Sequence, residues 1–363
     1  MALDLAAGAA AIPNPTTHHL PATPATVYWG YIDQAQPAVL EVDDGDVIRV
    51  EAITHHAGDA PDLLMDEGIR AIWDAIAPDT RGPGVHILTG PIHVRGAEPG
   101  DALAVTILEM TPRLPFGSNC AANWGLFHDV YGKERITIYG LDGGPAADVF
   151  GSIARPMFGF DFTERALYDL PGVISPPDLA ARAPFSAPVR VPVRPHFGVM
   201  GVAPAEPGRL SSIPPGPFGG NVDNWRLGPG ATMCYPVAIE GAGLYVGDPH
   251  FAQGDGEICG TAIEASLDAV IQVKVLKGLG ITTPLMQTAS HWYTHGFGAD
   301  LDEAMRGAAF QMLWLMQEHL GLSADDAYSL ASVAIDLGVT QVVDGTLGCH
   351  AGLDRTIVGE ASV

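Results

Sequence analysis

The stretch Gly247-Asp248-Pro249-His250-Phe251-Ala252-Gln253-Gly254-Asp255-Gly256-Glu257 places four side chains able to bind a metal or move a proton within eleven residues. Asp248 and His250 stand two apart, as do Asp255 and Glu257. On an extended backbone each pair therefore projects to one side. Gly254 and Gly256 flank Asp255, which suits a chain that runs close to a bound group or through positive φ. Strand-like sequence lies on both sides, from Met233 to Val246 with a break at Pro236, and from Ile258 to Glu264. A polar hairpin with solvated carboxylates is the alternative reading of the same residues.

Other segments carry chemistry-bearing side chains at telling spacings. Pro99-Gly100 are preferred central residues of a type II turn, so Glu98 and Asp101 are expected close together at its two ends. In Gly219-Gly220-Asn221-Val222-Asp223 the glycines suggest a close backbone approach, and Asn221 and Asp223 face the same way if the segment is extended. His55 and His56 face opposite ways on an extended chain, so at most one is expected to enter a given site. His86 and His93 lie in the β-type run from Gly84 to Val94. Together, His86, Asp101, Asp248, His250 and Asp255 form a mixed nitrogen and oxygen donor set of the kind zinc-type ions take.

The elements that must position these residues read as follows. Residues 1–25 are rich in Ala, Pro and Thr and form a flexible N-terminal arm, expected to order against a partner subunit. Residues 26–190 read as a β-rich domain. Ala38–Val42 and Val47–Glu51 form a hairpin across Asp43-Asp44-Gly45-Asp46, and an irregular insertion runs from Thr111 to about Arg190. A short helix is expected over residues 61–76 with Pro61 in its first turn. Residues 191–363 read as an α/β domain carrying the main motif. Apolar positions recur with helical period at Leu301, Met305, Ala308, Met312, Leu315, Met316 and Leu320, and Gly321 is placed to end that helix. Ser323 is expected to cap a second helix, and Val339–Val343 to return to strand.

Bulk properties limit the partners. The chain has 363 residues and is 47% hydrophobic, enough for a sizeable core. Its 42 acidic and 18 basic residues give a formal charge of -24, which repels nucleic acid and anionic membrane surfaces. The three lysines, Lys133, Lys274 and Lys277, restrict serine-lysine and glutamate-lysine-cysteine chemistry. The four cysteines include no CxxC pair, and Met1-Ala2-Leu3-Asp4 has no basic leader, so a reducing cytoplasm is expected. No apolar run is long enough to span a membrane.

The combination of Gly90-Pro91-Ile92 through Glu98-Pro99-Gly100-Asp101, Gly198-Val199-Met200-Gly201-Val202-Ala203-Pro204, Gly219-Gly220-Asn221-Val222-Asp223, and Gly247 through Glu257 resembles the acetamidase/formamidase family of amide hydrolases. The resemblance covers most of the chain. It implies an α+β fold, with β-rich, jelly-roll-like sheets joined to an α/β C-terminal part. It also implies a homo-oligomer and a divalent metal, zinc or calcium. The chain departs from the family's pattern at His55-His56, where an acidic residue is usual.

The reading that follows is a metal-assisted amidohydrolase acting on a small linear amide. His55, His86, Asp101, Asp248, His250 and Asp255 are its candidate ligands. Glu257 is its general base with Glu98 in reserve, and Asn221, Asp223 and Gln253 contact the substrate. Two alternatives stand beside it. One makes Cys259 the nucleophile, against which its apolar neighbours Ile258 and Ile263 count. The other is a non-catalytic β module whose acidic turns, such as Asp43-Asp44-Gly45-Asp46, hold structural calcium. Histidine favours the catalytic reading, because calcium takes oxygen ligands.

Overall fold

Alternating burial shapes most of the chain into strands, as in Val47–Ala52, where Ile48, Val50 and Ala52 are buried and Arg49 faces solvent. The computed structural model describes residues 3–5, 15–121, 123–161 and 182–357. The described strands form two large sheets. One has nine strands in the order Thr17–Leu20, Val47–Ala52, Leu267–Leu276, Ala102–Pro112, Thr232–Pro236, Leu285–Gln287, His291–Gly298, Leu347–Asp354 and Ile335–Gln341. The other has twelve, with Leu244–Ala252 between His196–Gly201 and Ile263–Glu264, and with Ile87–Val94 also paired to it. Val50, Ile107 and Ile271 of the first sheet meet Ile92, Phe197, Val246 and Phe251 of the second in one buried core. The architecture is a jelly-roll-like β sandwich with a helical layer.

Helix Leu301–Glu318 supplies that layer. Asp300 caps it by accepting the Glu303 N–H at 2.8 Å. Its Ala304, Ala308, Met312 and Leu315 pack on Trp292, Cys349 and Leu353 of the nine-stranded sheet. Ser323 caps helix Ala324–Ala334 through the Asp326 N–H at 3.1 Å, as its sequence position suggests. That helix runs into strand Ile335–Gln341, which begins four residues before the expected Val339.

Several local expectations meet a different arrangement. The turn at Asp43–Asp46 forms, but the segments it joins are not partners. Leu40–Val42 pairs in parallel with Ile87–Val94, while Val47–Ala52 pairs with Leu267–Leu276 in the other sheet. The turn is a corner of the sandwich. Residues 61–76 split into Pro61–Leu64 and Glu67–Ala75, because Asp66 takes the capping position and accepts the Ile69 N–H at 2.8 Å. The stretch after Thr111 is no plain insertion: Phe116–Ala121, Arg135–Leu141 and Ile153–Asp161 are successive antiparallel strands. Its residues 162–181 lie outside the described residues. Within the N-terminal segment, Thr17–Leu20 pairs in parallel with Val47–Ala52. Both sheets draw strands from either side of residue 190.

Candidate active site

Leu244–Ala252 is buried along its whole length, with the hydrophobic core on one face and a polar cluster on the other. Asp248 breaks the strand's alternation with φ +49°. Its carboxylate then meets His250: Asp248 Oδ2 lies 3.0 Å from His250 Nε2, and Glu264 Oε2 on the neighbouring strand lies 3.1 Å from the same nitrogen. The turn that follows Val47–Ala52 brings His55 Nδ1 within 3.8 Å of Asp248 Oδ1. From Ile87–Val94's leading edge, His86 Nε2 comes within 3.7 Å of Asp248 Oδ2. Asp223 Oδ1 lies 4.0 Å from His250 Nδ1. Gly198 stands opposite Asp248 on the adjacent strand, and any side chain there would fill the space these groups share.

His55, His86, Asp248 and Glu264 of this cluster border a cavity of about 710 Å³, which is also lined by His56, Asn221, Glu257 and Asp344. Three overlapping triads have donor atoms within 4.8 Å of one another: His55-His86-Asp248, Asp248-His250-Glu264 and Asp223-His250-Glu257. Neighbouring groups fix one ligand-type nitrogen. His86 Nδ1 is 3.0 Å from the Ser212 carbonyl oxygen, which can only accept, so Nδ1 carries the proton and Nε2 is left bare toward Asp248. His196 Nδ1 likewise donates to the Arg194 carbonyl at 2.7 Å, while its Nε2 backs His250 Nδ1 at 3.0 Å.

The electrostatics are those of too many buried acids. Burial and the nearby Asp248 push Asp223 up to about 7. Burial and Asp223 raise Glu257 and Asp344 well above the carboxylate range, and burial and Asp248 raise Glu264. Asp248 goes the other way: burial opposes its charge, but His250 and His86 outweigh burial and hold it well below its ordinary value. Burial likewise opposes charge on His250, yet Glu264 and Asp248 outweigh it and raise His250 well above its ordinary value.

Several of these buried atoms make no hydrogen bond: both Asp223 oxygens, Asp248 Oδ1, Glu264 Oε2, His55 Nδ1 and His250 Nε2. His250 Nε2 touches two carboxylates without aligning to either. A divalent cation fits this set, because it gives convergent, otherwise unpaired donors a common partner.

The structure gathers His55, His86, Asp223, Asp248, His250 and Glu257, with Asn221 in the cavity wall donating to Asp344 Oδ2 at 3.0 Å. Gln253 stands behind the cluster, with Oε1 3.0 Å from His196 Nε2 and its amide donating to the Asp223 carbonyl at 2.7 Å. Three candidates lie elsewhere. The Pro99-Gly100 turn forms, but Lys277 holds Glu98 and Asp101 at 3.1 and 2.7 Å on an exposed corner. Asp255 is clasped by Arg226 at 2.9 Å and by the Trp225 indole N–H at 2.8 Å. None of the three lines the cavity. Cys259 accepts from Asn119 and borders a second cavity instead. The acids of Asp43–Asp46 are taken up as well: Asp46 accepts the Thr16 and Asp43 N–H groups, and Asp44 accepts that of Val275.

Sequence reasoning missed Glu264, Asp344, His56 and His196. Glu264 left a trace as a lone acid among Ala262, Ile263 and Ala265 in a strand-like run. His56 does enter the cavity wall beside His55, with its Nδ1 turned to Asp59 at 2.9 Å.

Buried carboxylates and imidazoles converging on one cavity make the site of a hydrolytic enzyme. The sequence matches the Acetamidase/Formamidase family over residues 33–209 and 207–351. It is 34% identical to an acetamidase of Mycolicibacterium smegmatis over 319 residues, covering 76% of this chain and 74% of that protein. It is 30% identical to a formamidase of Methylophilus methylotrophus over 288 residues, covering 69% of this chain and 65% of that protein, just under two thirds of the relative's length. The crystal structure of an acetamidase from Yersinia enterocolitica superposes with a TM-score of 0.72 at 25% identity, over 96% of this chain and 94% of that one. The chain belongs to the acetamidase/formamidase family and is an amidohydrolase. Among the described residues no helix is long and apolar enough to cross a membrane.

Proposed function

We propose that this protein hydrolyses the C–N bond of a linear amide, adding water to give a carboxylate and ammonia or an amine. In this reading a divalent metal is held by His55, His86, Asp248, His250 and Glu264. The convergence of unpaired buried donors on Asp248 and His250 supports it most directly. The imidazoles in that set favour zinc over calcium. When bound, the ion supplies Lewis-acid polarisation of the amide carbonyl.

The remaining chemistry falls to the chain itself. Glu257, buried in the cavity wall with its pKa raised by burial and Asp223, is the general base. It takes a proton from the attacking water and delivers it to the departing nitrogen. A carboxylate whose pKa is raised by burial and Asp223 holds the transferred proton more readily between the two halves of that task. Asn221 and Asp344 hydrogen-bond each other in the same wall and orient the substrate's polar end.

The test separates ligand from base. Glu257→Gln keeps size and hydrogen bonding but cannot accept the proton, so kcat falls about 10²–10⁴-fold while metal content holds. His250→Ala loses metal and activity together. Chelation abolishes ammonia release, and thiol alkylation leaves most of it. Activity that survives chelation and vanishes on alkylation would transfer the role to Cys259.

We also read the protein as a homo-oligomer of the reducing cytoplasm. Four large side chains, Phe310, Tyr328, Val333 and Leu337, are exposed on the two long helices and on Ile335–Gln341, an edge strand of its sheet. All four cysteines are free thiols.

A further inference from the structure

The cavity is far larger than the smallest amides need. It encloses about 710 Å³. A four-heavy-atom amide such as acetamide fills on the order of 100 Å³, at about 30 Å³ for each water-sized group. Volumes of several hundred Å³ are those of ligands many times that size.

The lining is also graded. Buried acids and imidazoles occupy one part, whereas Trp124, Val85, Ile213 and Val343 line the rest with apolar surface that the hydrolysis itself does not use. Among the described lining residues there is no lysine or arginine, and His56 turns its Nδ1 to Asp59 at 2.9 Å, so an anionic substituent meets no ready cationic partner there.

These apolar walls are built to stay apart. The Trp124 indole N–H donates to the Gly260 carbonyl at 3.0 Å. Gly260 has φ +112°, and a Cβ there would come within 2.3 Å of Trp124 Nε1, so only glycine lets the ring lie against that turn. Across the cavity, Gly82 and Gly84 donate their N–H groups to the Trp29 and Gly30 carbonyls at 2.8 and 2.6 Å. The indole bond of Trp124 and the backbone bonds of Gly82 and Gly84 hold these lining segments in place and leave room for a ligand in the cavity.

We infer that the preferred substrate is an amide bearing a neutral, bulky apolar substituent, an aryl ring or an alkyl chain of about four carbons or more, seated against Trp124. This rests on the amide-hydrolase reading above. It makes Trp124 a specificity-determining residue, because its ring face meets the substituent and not the scissile bond.

The test compares kcat/KM for ammonia or amine release along formamide, acetamide, butyramide, hexanamide and phenylacetamide, and along a matching series of N-alkylformamides. In one of the two series kcat/KM rises about fourfold per added methylene. Within that series Trp124→Ala then lowers the ratio of the largest to the smallest substrate about tenfold, and Trp124→Phe lowers it less. Because the ratio is taken within each variant, a partly misfolded preparation cancels out. A flat or falling trend in both series, with formamide or acetamide preferred, overturns the substrate class and leaves amide hydrolysis standing. An unchanged ratio in Trp124→Ala refutes Trp124 as the seat of the substituent. Hydrolysis of no amide in either series overturns the amide-hydrolase reading and this inference with it.

Discussion

Replacing Gly198 by alanine adds one methyl group at the point where the acids and imidazoles converge. Its Cβ would lie 2.5 Å from Asp248 Oδ2, 2.6 Å from Asp223 Oδ1 and 2.7 Å from His250 Cε1. Ordinary contacts are about 3.5–4.0 Å, so each neighbour is roughly 1 Å too close. None of the three is the loose end of a flexible side chain. Asp223 and Asp248 stand on backbones at φ +52° and +49°, and His250 is fully buried and backed by His196. The methyl group is therefore accommodated by turning the carboxylates away from the imidazole. Overpacking of this kind costs about 1–3 kcal/mol, a modest part of the roughly 5–15 kcal/mol that holds a domain together. The site suffers more, since a displacement of about 1 Å in a reacting constellation costs on the order of 100-fold. The expected outcome is a folded protein with a cooperative melt lowered by a few degrees, depleted of metal, and at least about 100-fold slower in ammonia release. Elemental analysis, thermal melting by circular dichroism and a coupled ammonia assay read the three quantities. Wild-type metal content and rate in Gly198→Ala would show that this cluster is not the working centre.

Two further outcomes are expected. Light scattering at working concentration should give a multiple of the protomer mass, and a polar substitution pair at the exposed Tyr328 and Val333 should lower it; a monomeric mass for the unmodified chain refutes the oligomer. Asp66→Ala should cost about 1 kcal/mol at neutral pH through loss of the helix cap. Burial alone would raise the Asp66 carboxyl, but hydrogen bonds from Arg113 and the Ile69 N–H hold it below its ordinary value. A carboxyl depressed in the folded state stabilises fully above its unfolded pKa of about 4, and that contribution is lost as pH falls through the folded value. Urea denaturation should therefore separate Asp66→Ala from wild type at pH 7 and much less near pH 2, and an equal gap at both would remove the carboxylate from the explanation.

Local rules carried the sequence reading where a feature is set by residues close in the chain. Ser323 caps its helix, the Pro99-Gly100 turn forms, and Asp248 and His250 meet. Long-range placement was not legible in the same way. The turn at Glu98–Asp101 has the expected geometry, but nothing local says that Lys277 lies across from it on an outer corner. Asp43–Asp46 marks a turn equally well whether the flanking strands pair or part to opposite sheets. Glu264 and Asp344 join the site only through partners distant in sequence, Glu264 by strand pairing with His250 and Asp344 through Asn221.

The deeper reason lies in the backbone. Among the described residues, the non-glycine positions with positive φ are Asp223, Ala242, Asp248 and Glu257, so three of the four are acids of the cluster. Each such conformation costs on the order of 1–3 kcal/mol unless the surroundings impose it. Strict alternation along Leu244–Ala252 would send Val246, Asp248 and His250 to one face. Val246 instead joins the hydrophobic core while Asp248 and His250 face the polar cluster, because Asp248 itself takes φ +49° and resets the phase of the strand. A period-two reading therefore pairs Asp248 correctly with His250 but cannot place them relative to Val246. Glu257 follows the same logic: its strained φ, beside Gly256 at +96°, turns the chain so that Glu257 lines the cavity while Asp255, two residues earlier, is held by Arg226. The regular pattern fails at the positions where the fold bends its backbone to bring the acids together.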